Sequence, residues 1–392
     1  MTRARYLEGP VREDLGAKMV FLAGPRQVGK TTLARQVLGG WDAGAYLSWD
    51  NRGDRREIRA ARWPGGRALV VLDELHKWRG WKGWLKGEFD KHRDHLRFLV
   101  TGSARLDVYR KGGDSLQGRY HHYRLHPFSL AEMENGGKEP VVPEPLSELP
   151  IPRRADQVAL DRLMETGGFP EPLLSGSART VRRWQKERLE RFFREDVRDL
   201  GAVQELSSIE HLAELLPERV GSLLSLNALR EDLEASHRGV SHWLDVLERL
   251  YHVVRLRPFT SPRVRALRKM PKAYLWDWSL VPERGPRFEN LVAMHLLKFC
   301  HHLQDREGQA VELSYLRDRT GKEVDFLVTL GRKPWFAVEA KVSETRIDPS
   351  LVYFRERLGL RWVYQAVLEG QRDFVENGVR CLPARRFLAA LA

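Results

Sequence analysis

The segment that most constrains this fold is residues 24–31, which read GPRQVGKT. Apolar residues 19–23 come before it and predict a buried strand, and residues 31–38 are predicted to form a helix that ends before two glycines. At such a junction the glycines let backbone N–H groups turn inward, where they and the helix N-terminus favour a bound phosphate group. The spacing G-x-x-x-x-G-K-[ST] is that of a nucleotide phosphate loop.

This loop predicts ATP as a ligand and Mg²⁺ as the ion that accompanies it. The residues expected to contact the nucleotide are Gly24, Pro25, Arg26, Gln27, Val28, Gly29, Lys30, Thr31 and Thr32. Lys30 is expected to reach the β- and γ-phosphates, and the Thr31 hydroxyl is expected to hold Mg²⁺.

Polar residues at the ends of two further apolar runs are expected to complete the site. Asp73 and Glu74 follow residues 69–72. Asp73 would hold Mg²⁺ through water, and Glu74 would orient or deprotonate the attacking water. Thr101 and Ser103 follow residues 96–100, and either can contact the γ-phosphate or the water, so both stay candidates.

Arg119 comes just before a strand predicted at residues 120–125. An arginine there is expected to lie at a subunit edge and to reach a neighbour's γ-phosphate, as an arginine finger does. The alternative is an ordinary surface salt bridge.

Short apolar runs alternate with amphipathic stretches in the first third, which predicts an α/β fold with a parallel sheet. Its strands are predicted at residues 19–23, 45–49, 68–72, 96–100 and 120–125. Five prolines in residues 134–152 indicate a boundary. The later pattern predicts helices, then three helices with two strands in the order of a winged helix-turn-helix, then a mixed α/β segment.

The charge balance suggests a polyanionic partner, nucleic acid first. Lys and Arg total 66 against 53 Asp and Glu, a net charge of +13 over 392 residues. Seven cations without an acid are expected to form a wing that contacts DNA phosphates: Arg255, Arg257, Arg263, Arg265, Arg268, Lys269 and Lys272. The alternative is a solvated loop that docks on an acidic neighbouring subunit. The helix before the wing has no basic reading face, so base-specific contacts are not expected.

Two cysteines indicate a reducing compartment. No apolar run approaches ~18 residues, and the first residues lack a signal-peptide core. We therefore expect a cytoplasmic protein without a membrane partner.

Near the C-terminal end, acidic residues are predicted to meet on two strands and a helix. Asp325 lies on one strand, Glu339 and Lys341 share a face of another, and Glu289 lies on a helix. Carboxylates can bind Mg²⁺, and a neighbouring lysine can polarise a phosphate or position water. A solvated face without catalysis is the alternative.

Six segments occur in an order that resembles one family. They read GPRQVGKTTLARQ, VVLDELHKW, VTGSARLD, SLQGRY, HPFSLAE and GGFPEP. They resemble bacterial and archaeal AAA-type ATPases that carry a C-terminal restriction-endonuclease-like domain. That resemblance implies a P-loop AAA-type parallel sheet core (1–150), a helical lid (151–206), a winged helix (207–280) and a nuclease-like α/β domain (281–392), in a ring or other homo-oligomer. The acidic cluster then looks like the PD-(D/E)XK pattern, with Val324-Asp325 in place of Pro-Asp.

These observations together predict a Mg²⁺-dependent ATPase that acts on DNA as an oligomeric motor or remodeller. A backbone-directed wing favours branched or junction DNA, such as a Holliday junction, over a specific sequence. One alternative is a nucleotide-regulated switch that binds a protein partner and has an inactive nuclease-like tail. Another is a DNA endonuclease that ATP regulates.

Overall fold

The computed structural model describes most of the chain: residues 3–102, 116–197, 205–260, 270–343 and 346–392. Two compact units divide it. The first comprises Met1–Pro127 and Gly136–Glu139, and the second comprises Phe128–Asn135 and Pro140–Ala392.

The first unit contains a sheet of five parallel strands. They are β1 (Met19–Ala23), β2 (Gly44–Ser48), β3 (Ala68–Asp73), β4 (Leu96–Gly102) and β5 (Tyr120–Arg124). Their order across the sheet is β2-β3-β4-β1-β5, and every pairing is parallel. Every side chain of β1 and β3 is buried, as expected for apolar runs covered on both faces. The predicted α/β class and parallel sheet are confirmed.

Helices precede and connect these strands. They are α1 (Glu8–Asp14), α2 (Lys30–Leu38), α3 (Arg52–Ala60) and α4 (Trp81–His92), and a 3₁₀ turn spans Leu75–Lys77. Asn51 caps α3, because its side chain accepts hydrogen bonds from the backbone of Gly53 and Asp54. Since β1, β3 and β4 run in parallel, their carboxyl ends meet at one edge of the sheet, where ligands bind in open α/β sheets.

The second unit begins with helices. They are α5 (Leu130–Glu134), α6 (Gln157–Thr166), α7 (Pro170–Ser175) and α8 (Ala178–Arg191), which continues into a π-helical turn at Phe192–Val197. Three further helices and an antiparallel strand pair follow: α9 (Leu206–Leu215), α10 (Leu226–Asp232), α11 (His237–Arg249), β6 (Val253–Leu256) and β7 (Lys272–Leu275). The predicted sequence of three helices and two strands is therefore present.

Short helix α5 is anchored in the second unit by a buried ion pair. The Lys298 ammonium lies 2.8 Å from a carboxylate oxygen of Glu132 and 2.8 Å from the Ser129 hydroxyl. The Leu130 N–H donates to Nε2 of His295 at 3.0 Å. These contacts explain why the HPFSLAE segment combines apolar residues with a serine and a glutamate.

The rest of the second unit is a six-stranded mixed sheet with helices. Its elements are α12 (Arg284–Glu307), β8 (Val311–Arg317), β9 (Glu323–Leu330), β10 (Lys333–Lys341), α13 (Pro349–Leu358), β11 (Trp362–Val367), β12 (Phe374–Glu376), β13 (Val379–Pro383) and α14 (Ala384–Ala389). The strand order is β12-β13-β11-β10-β9-β8. Strands β8 to β10 pair antiparallel, whereas β11 pairs in parallel with both β10 and β13.

Both cysteines, Cys300 and Cys381, are buried, and both are thiols, not halves of a disulfide. Among the helices that the structure describes, none is both long and apolar enough to cross a lipid bilayer.

Candidate functional site

The phosphate loop follows β1 and has a backbone that requires glycine. Gly24 has φ +154°, and a Cβ on it would lie 2.5 Å from the carbonyl oxygen of Leu125. Gly29, which precedes α2, has φ +102°. An alanine at position 24 would therefore push the loop away from the end of β5.

Arg5 braces this loop, a role that sequence reasoning missed. Its guanidinium donates to the carbonyl oxygen of Val28 at 2.7 Å and to that of His126 at 2.6 Å. The side chain is buried, so both bonds form in a region of low dielectric constant. No local motif could have identified Arg5, because its partners lie far along the sequence.

Lys30 lies in the loop as predicted. Its ammonium donates to the carbonyl oxygens of Gly24 at 3.0 Å and Pro25 at 2.9 Å. The side chain is buried at the start of α2. An ammonium held at the loop by backbone carbonyls is placed to pair with phosphate oxygens.

Asp73, at the end of β3, accepts hydrogen bonds from three hydroxyl groups. One carboxylate oxygen accepts from Thr31 at 3.1 Å and from Tyr46, and the other accepts from Thr101. The structure thus joins Thr101 to the predicted Mg²⁺ ligands, whereas its rival Ser103 lies outside the described residues.

Tyr46 is a member of the site that sequence reasoning did not identify. It lies on β2, whose residue Ser48 is paired with Asp73 of β3. Burial, the hydrogen bond to Asp73 and the charge of that carboxylate raise the pKa of Tyr46 well above its ordinary value. The phenol therefore stays protonated and continues to donate to Asp73 at physiological pH.

The donor chemistry at Thr31 and Asp73 fits Mg²⁺. A hydroxyl and a carboxylate are hard oxygen ligands, and Mg²⁺ commonly takes one or two protein oxygens with water and substrate phosphates. Both side chains lie beside the phosphate loop, so they can hold the ion next to the nucleotide.

Glu74 follows Asp73 with a left-handed backbone, φ +56°. Its N–H donates to the carbonyl oxygen of Thr101 at 2.9 Å. One carboxylate oxygen lies 3.7 Å from Nε2 of His76 and 3.7 Å from the Lys77 ammonium. Burial lowers the pKa of His76, which leaves that imidazole neutral at physiological pH. Positive φ at a non-glycine residue is often found at functional sites.

Arg119 forms a bidentate pair with Asp90 in this structure. Its Nε lies 2.8 Å from one carboxylate oxygen and its Nη2 lies 3.0 Å from the other. Hydrogen bonding to Arg119 lowers the pKa of Asp90. Because Arg119 precedes β5, it lies at the amino end of the strands, opposite the end that carries the phosphate loop.

In the second unit, the predicted acidic cluster is assembled around Asp325. Its N–H donates to a carboxylate oxygen of Glu339 at 3.1 Å, and its own carboxylate accepts from the Ala340 N–H at 3.1 Å. The Lys341 ammonium lies 2.7 Å from Glu339 and 3.0 Å from Asp348. Glu289 joins the cluster through Lys272, whose ammonium lies 3.3 Å from both Glu289 and Asp325.

Lys272 therefore differs from the solvent-exposed wing cation that the sequence suggested. Its side chain is 2% exposed, and its ammonium also lies 2.7 Å from Glu323. Burial opposes the charge, but the neighbouring carboxylates outweigh burial and raise the pKa of Lys272 above its ordinary value. Lys272 is the first residue of β7, and its side chain lies among the carboxylates of the cluster, not in solvent.

Two carboxyl groups of this cluster have pKa values well above their ordinary value. Burial, together with the charge of Asp325, raises the pKa of Glu289 to about 7 and that of Glu339 to about 8. The Tyr274 hydroxyl donates to Glu289 at 2.7 Å. Tyr274 and Glu323 were not recognised from sequence, because neither belongs to a motif.

Mg²⁺ does not fit this cluster as it stands. In the part of the chain that the structure describes, no group of three or more His, Cys, Asp or Glu residues is arranged to hold a metal ion. The Lys272 ammonium lies between Glu289 and Asp325, where a shared cation would have to bind.

The predicted DNA-binding cations have different surroundings. Arg255 pairs with Asp245 at 2.6 Å and with Glu248, both on α11. Arg257 is exposed to solvent. The remaining four, apart from Lys272, lie outside the described residues: Arg263, Arg265, Arg268 and Lys269.

Comparison with known proteins identifies the first unit. Residues 16–134 match the family model described as AAA domain. Residues 157–284 and 284–387 match two domains of unknown function, DUF8612 and DUF4143.

Relatives with similar sequences are uncharacterized proteins. Those of Mycobacterium bovis and Mycobacterium tuberculosis are each 24% identical over 354 residues, which cover 86% of this chain and 73% of the relative.

Similar solved structures include a Walker-type ATPase of Pyrococcus abyssi, with a TM-score of 0.41 and 16% identity over 70% of this chain and 93% of that one. A RuvB variant of Thermotoga maritima has a TM-score of 0.32 and 16% identity over 64% of this chain and 88% of that one. The family match and the geometry of the phosphate loop show that this chain carries a P-loop ATPase domain of the AAA type.

Proposed function

We propose that this protein is a Mg²⁺-dependent ATPase that acts on DNA. The observation that carries the ATPase part is the hydrogen-bonded group of Thr31, Asp73 and Thr101 beside the Lys30 ammonium. These residues belong to two neighbouring parallel strands, β3 and β4, and to the start of α2, so the sheet fixes the spacing of Asp73 and Thr101.

In this proposal each residue has a separate task. Lys30 exchanges its backbone carbonyl partners for phosphate oxygens. Thr31 and Asp73 would hold the Mg²⁺ that accompanies the nucleotide, and Thr101 keeps the Asp73 carboxylate oriented. Glu74 orients or deprotonates the attacking water. When bound, Mg²⁺ would neutralise the negative charge that develops on the phosphate oxygens.

We further propose that neighbouring subunits complete the site. Arg119 would leave Asp90 and reach the γ-phosphate of the next subunit in a homo-oligomer, with a ring among the candidate arrangements. The Arg119 side chain is 31% exposed, and this partial exposure and its bidentate geometry support the proposal, because a guanidinium that binds a carboxylate can bind a phosphate in the same way.

DNA is the partner that we propose for the second unit. The order of three helices and a strand pair supports this, because it is the order of a winged helix. The net charge of +13, which belongs to the whole chain, favours a polyanion as the partner of the protein. The mixed α/β segment after it would have a restriction-endonuclease-like fold. Contacts made by arginines to phosphates would favour branched or junction DNA over a specific sequence.

The test measures ATP turnover of the full chain with linear, single-stranded and branched DNA at several salt concentrations. Branched DNA should stimulate most, and the concentration for half-maximal stimulation should rise about tenfold or more between low and moderate salt. Arg257→Ala should weaken this stimulation, and Arg182→Ala, which removes an exposed cation of α8, should not. Turnover that no DNA changes at low salt would contradict the DNA proposal.

One observation favours a second candidate function, a nucleotide-regulated switch that binds a protein partner. The Lys272 ammonium lies within the acidic cluster, which suits a nuclease-like tail without cleavage. Turnover independent of DNA, with a protein ligand whose affinity is insensitive to salt, would support this candidate.

A further inference from the structure

The C-terminal acidic cluster already contains a cation, the ammonium group of Lys272. It lies 2.7 Å from Glu323 and 3.3 Å from each of Glu289 and Asp325. An ammonium group has three N–H donors. Three carboxylates from α12 and β9 can therefore accept all of them, which explains how a lysine only 2% exposed remains charged.

The other carboxylate oxygens of the cluster are also in use. Asp325 accepts from the Ala340 N–H through its second oxygen, and Glu323 accepts from Arg317 through its second oxygen. Both oxygens of Glu339 accept hydrogen bonds, one from Lys341 and one from the N–H of Asp325. A divalent cation would have to displace these donors to obtain its ligands.

The backbone also closes the cluster on one side. One carboxylate oxygen of Glu289 accepts a hydrogen bond from the Tyr274 hydroxyl at 2.7 Å. Its second oxygen faces Gly221, where a Cβ would lie 2.7 Å away. The backbone of Gly221 therefore lies against this oxygen and limits the approach of a hydrated ion, which keeps several water molecules, from that side.

Lys272 and its acidic partners come from different parts of the second unit. Lys272 lies in the segment matched by the DUF8612 model, and Glu289, Glu323 and Asp325 lie in the segment matched by the DUF4143 model. The ion pairs therefore hold β7 against α12 and β9.

We propose that Lys272 takes the place of a divalent cation, so that this cluster is a metal-excluding, structural site in the native chain. The inference uses the proposed nuclease-like assignment only to choose Mn²⁺ as the probe. It predicts that the native cluster neither binds Mn²⁺ nor supports metal-dependent cleavage, and that removing the ammonium opens a metal site.

The experiment measures free Mn²⁺ by electron paramagnetic resonance in titrations of the full chain without nucleotide. The native chain and Asp325→Asn should bind the same amount of Mn²⁺. Lys272→Met, which keeps an unbranched side chain one atom shorter and removes the charge, should gain an additional Mn²⁺ site. Lys272→Met combined with Asp325→Asn should lose that gain. Thr31→Ala, measured in parallel, reports any Mn²⁺ held at the phosphate loop.

The proposal would be overturned if the native protein binds Mn²⁺ at a site that is lost in Asp325→Asn. It would also be overturned if a folded Lys272→Met chain gains no Mn²⁺ site. The first comparison does not involve Lys272→Met, so it decides the matter even if the buried substitution prevents folding. ATP turnover of the same samples tests the proposed ATPase separately, because a chain without turnover can still give either Mn²⁺ result.

Discussion

At the scale of single residues, Asp73 organises the nucleotide site. It accepts from the hydroxyl groups of Thr31, Tyr46 and Thr101, which come from α2, β2 and β4. A carboxylate with these donors has a fixed orientation before ATP arrives. Such preorganisation reduces the reorganisation that hydrolysis would otherwise require.

Tyr46→Phe tests this orientation. The variant keeps the ring but removes one donor to Asp73, a loss of about 1 kcal/mol, so ATP turnover should fall about fivefold while ATP binding changes little. The measurement is steady-state turnover together with nucleotide affinity. Tyr123→Phe is the matched control, because it removes a tyrosine hydrogen bond to Asp14 in the same unit. Equal turnover in the two variants would show that Tyr46 does not act through Asp73.

At the scale of elements, a neutral histidine of α12, His295, holds the start of α5. Nδ1 of His295 donates to the carbonyl oxygen of Leu291 at 2.8 Å, and Nε2 accepts from the Leu130 N–H at 3.0 Å. Burial lowers the pKa of His295 to about 3. Protonation would remove the acceptor that holds the start of α5.

The pH dependence follows from this depressed pKa. The unfolded chain binds a proton at His295 near pH 6.5, whereas the folded chain does so only near pH 3. The stabilisation is therefore present above about pH 6.5 and decreases as the pH falls towards 3. Between pH 7.5 and 5 the free energy of unfolding should drop by about 2 kcal/mol from this group alone.

Urea unfolding of His295→Gln at both pH values checks this expectation. The variant should lose less stability on acidification than the native chain by roughly that amount. His237→Gln, which replaces an exposed histidine at the start of α11, should keep the native pH dependence. A native-like pH dependence in His295→Gln would rule out this origin for acid sensitivity.

Strands and helices that are marked by a local sequence pattern, such as an apolar run or a phosphate-loop motif, were predictable from sequence. Strand β1 matches its predicted bounds, and α2 begins one residue before the prediction. The short strands β12 and β13 were missed, because three- and five-residue segments carry little periodicity.

Contacts between distant residues were less predictable. Tyr46 lies 27 positions from Asp73 and β2 shows no motif, so its role was not visible. Lys272 was assigned to the basic segment that precedes it, but its partners lie 17 and 53 positions further along. Strand alternation did place Glu339 and Lys341 together, since residues two apart share a face.

At the scale of the whole molecule, the backbone leads directly from the phosphate loop region to an anchored helix. Arg5 binds the carbonyl oxygens of Val28 in the loop and His126 after β5. A few residues later α5 begins, and Lys298 holds it in the second unit through Glu132. Residues 127–129 therefore connect the segment after β5 to the anchored helix α5.

The most direct measurement concerns ATP itself: nucleotide affinity and steady-state turnover of the native chain, Lys30→Ala and Glu74→Gln. Lys30→Ala should lose ATP binding, because the ammonium that pairs with the phosphates is gone. Glu74→Gln should bind ATP normally and hydrolyse it at least about a hundredfold more slowly. Glu57→Gln, a control on α3, should behave as the native chain. Native-rate turnover in Lys30→Ala or Glu74→Gln would contradict hydrolysis at this loop by these residues.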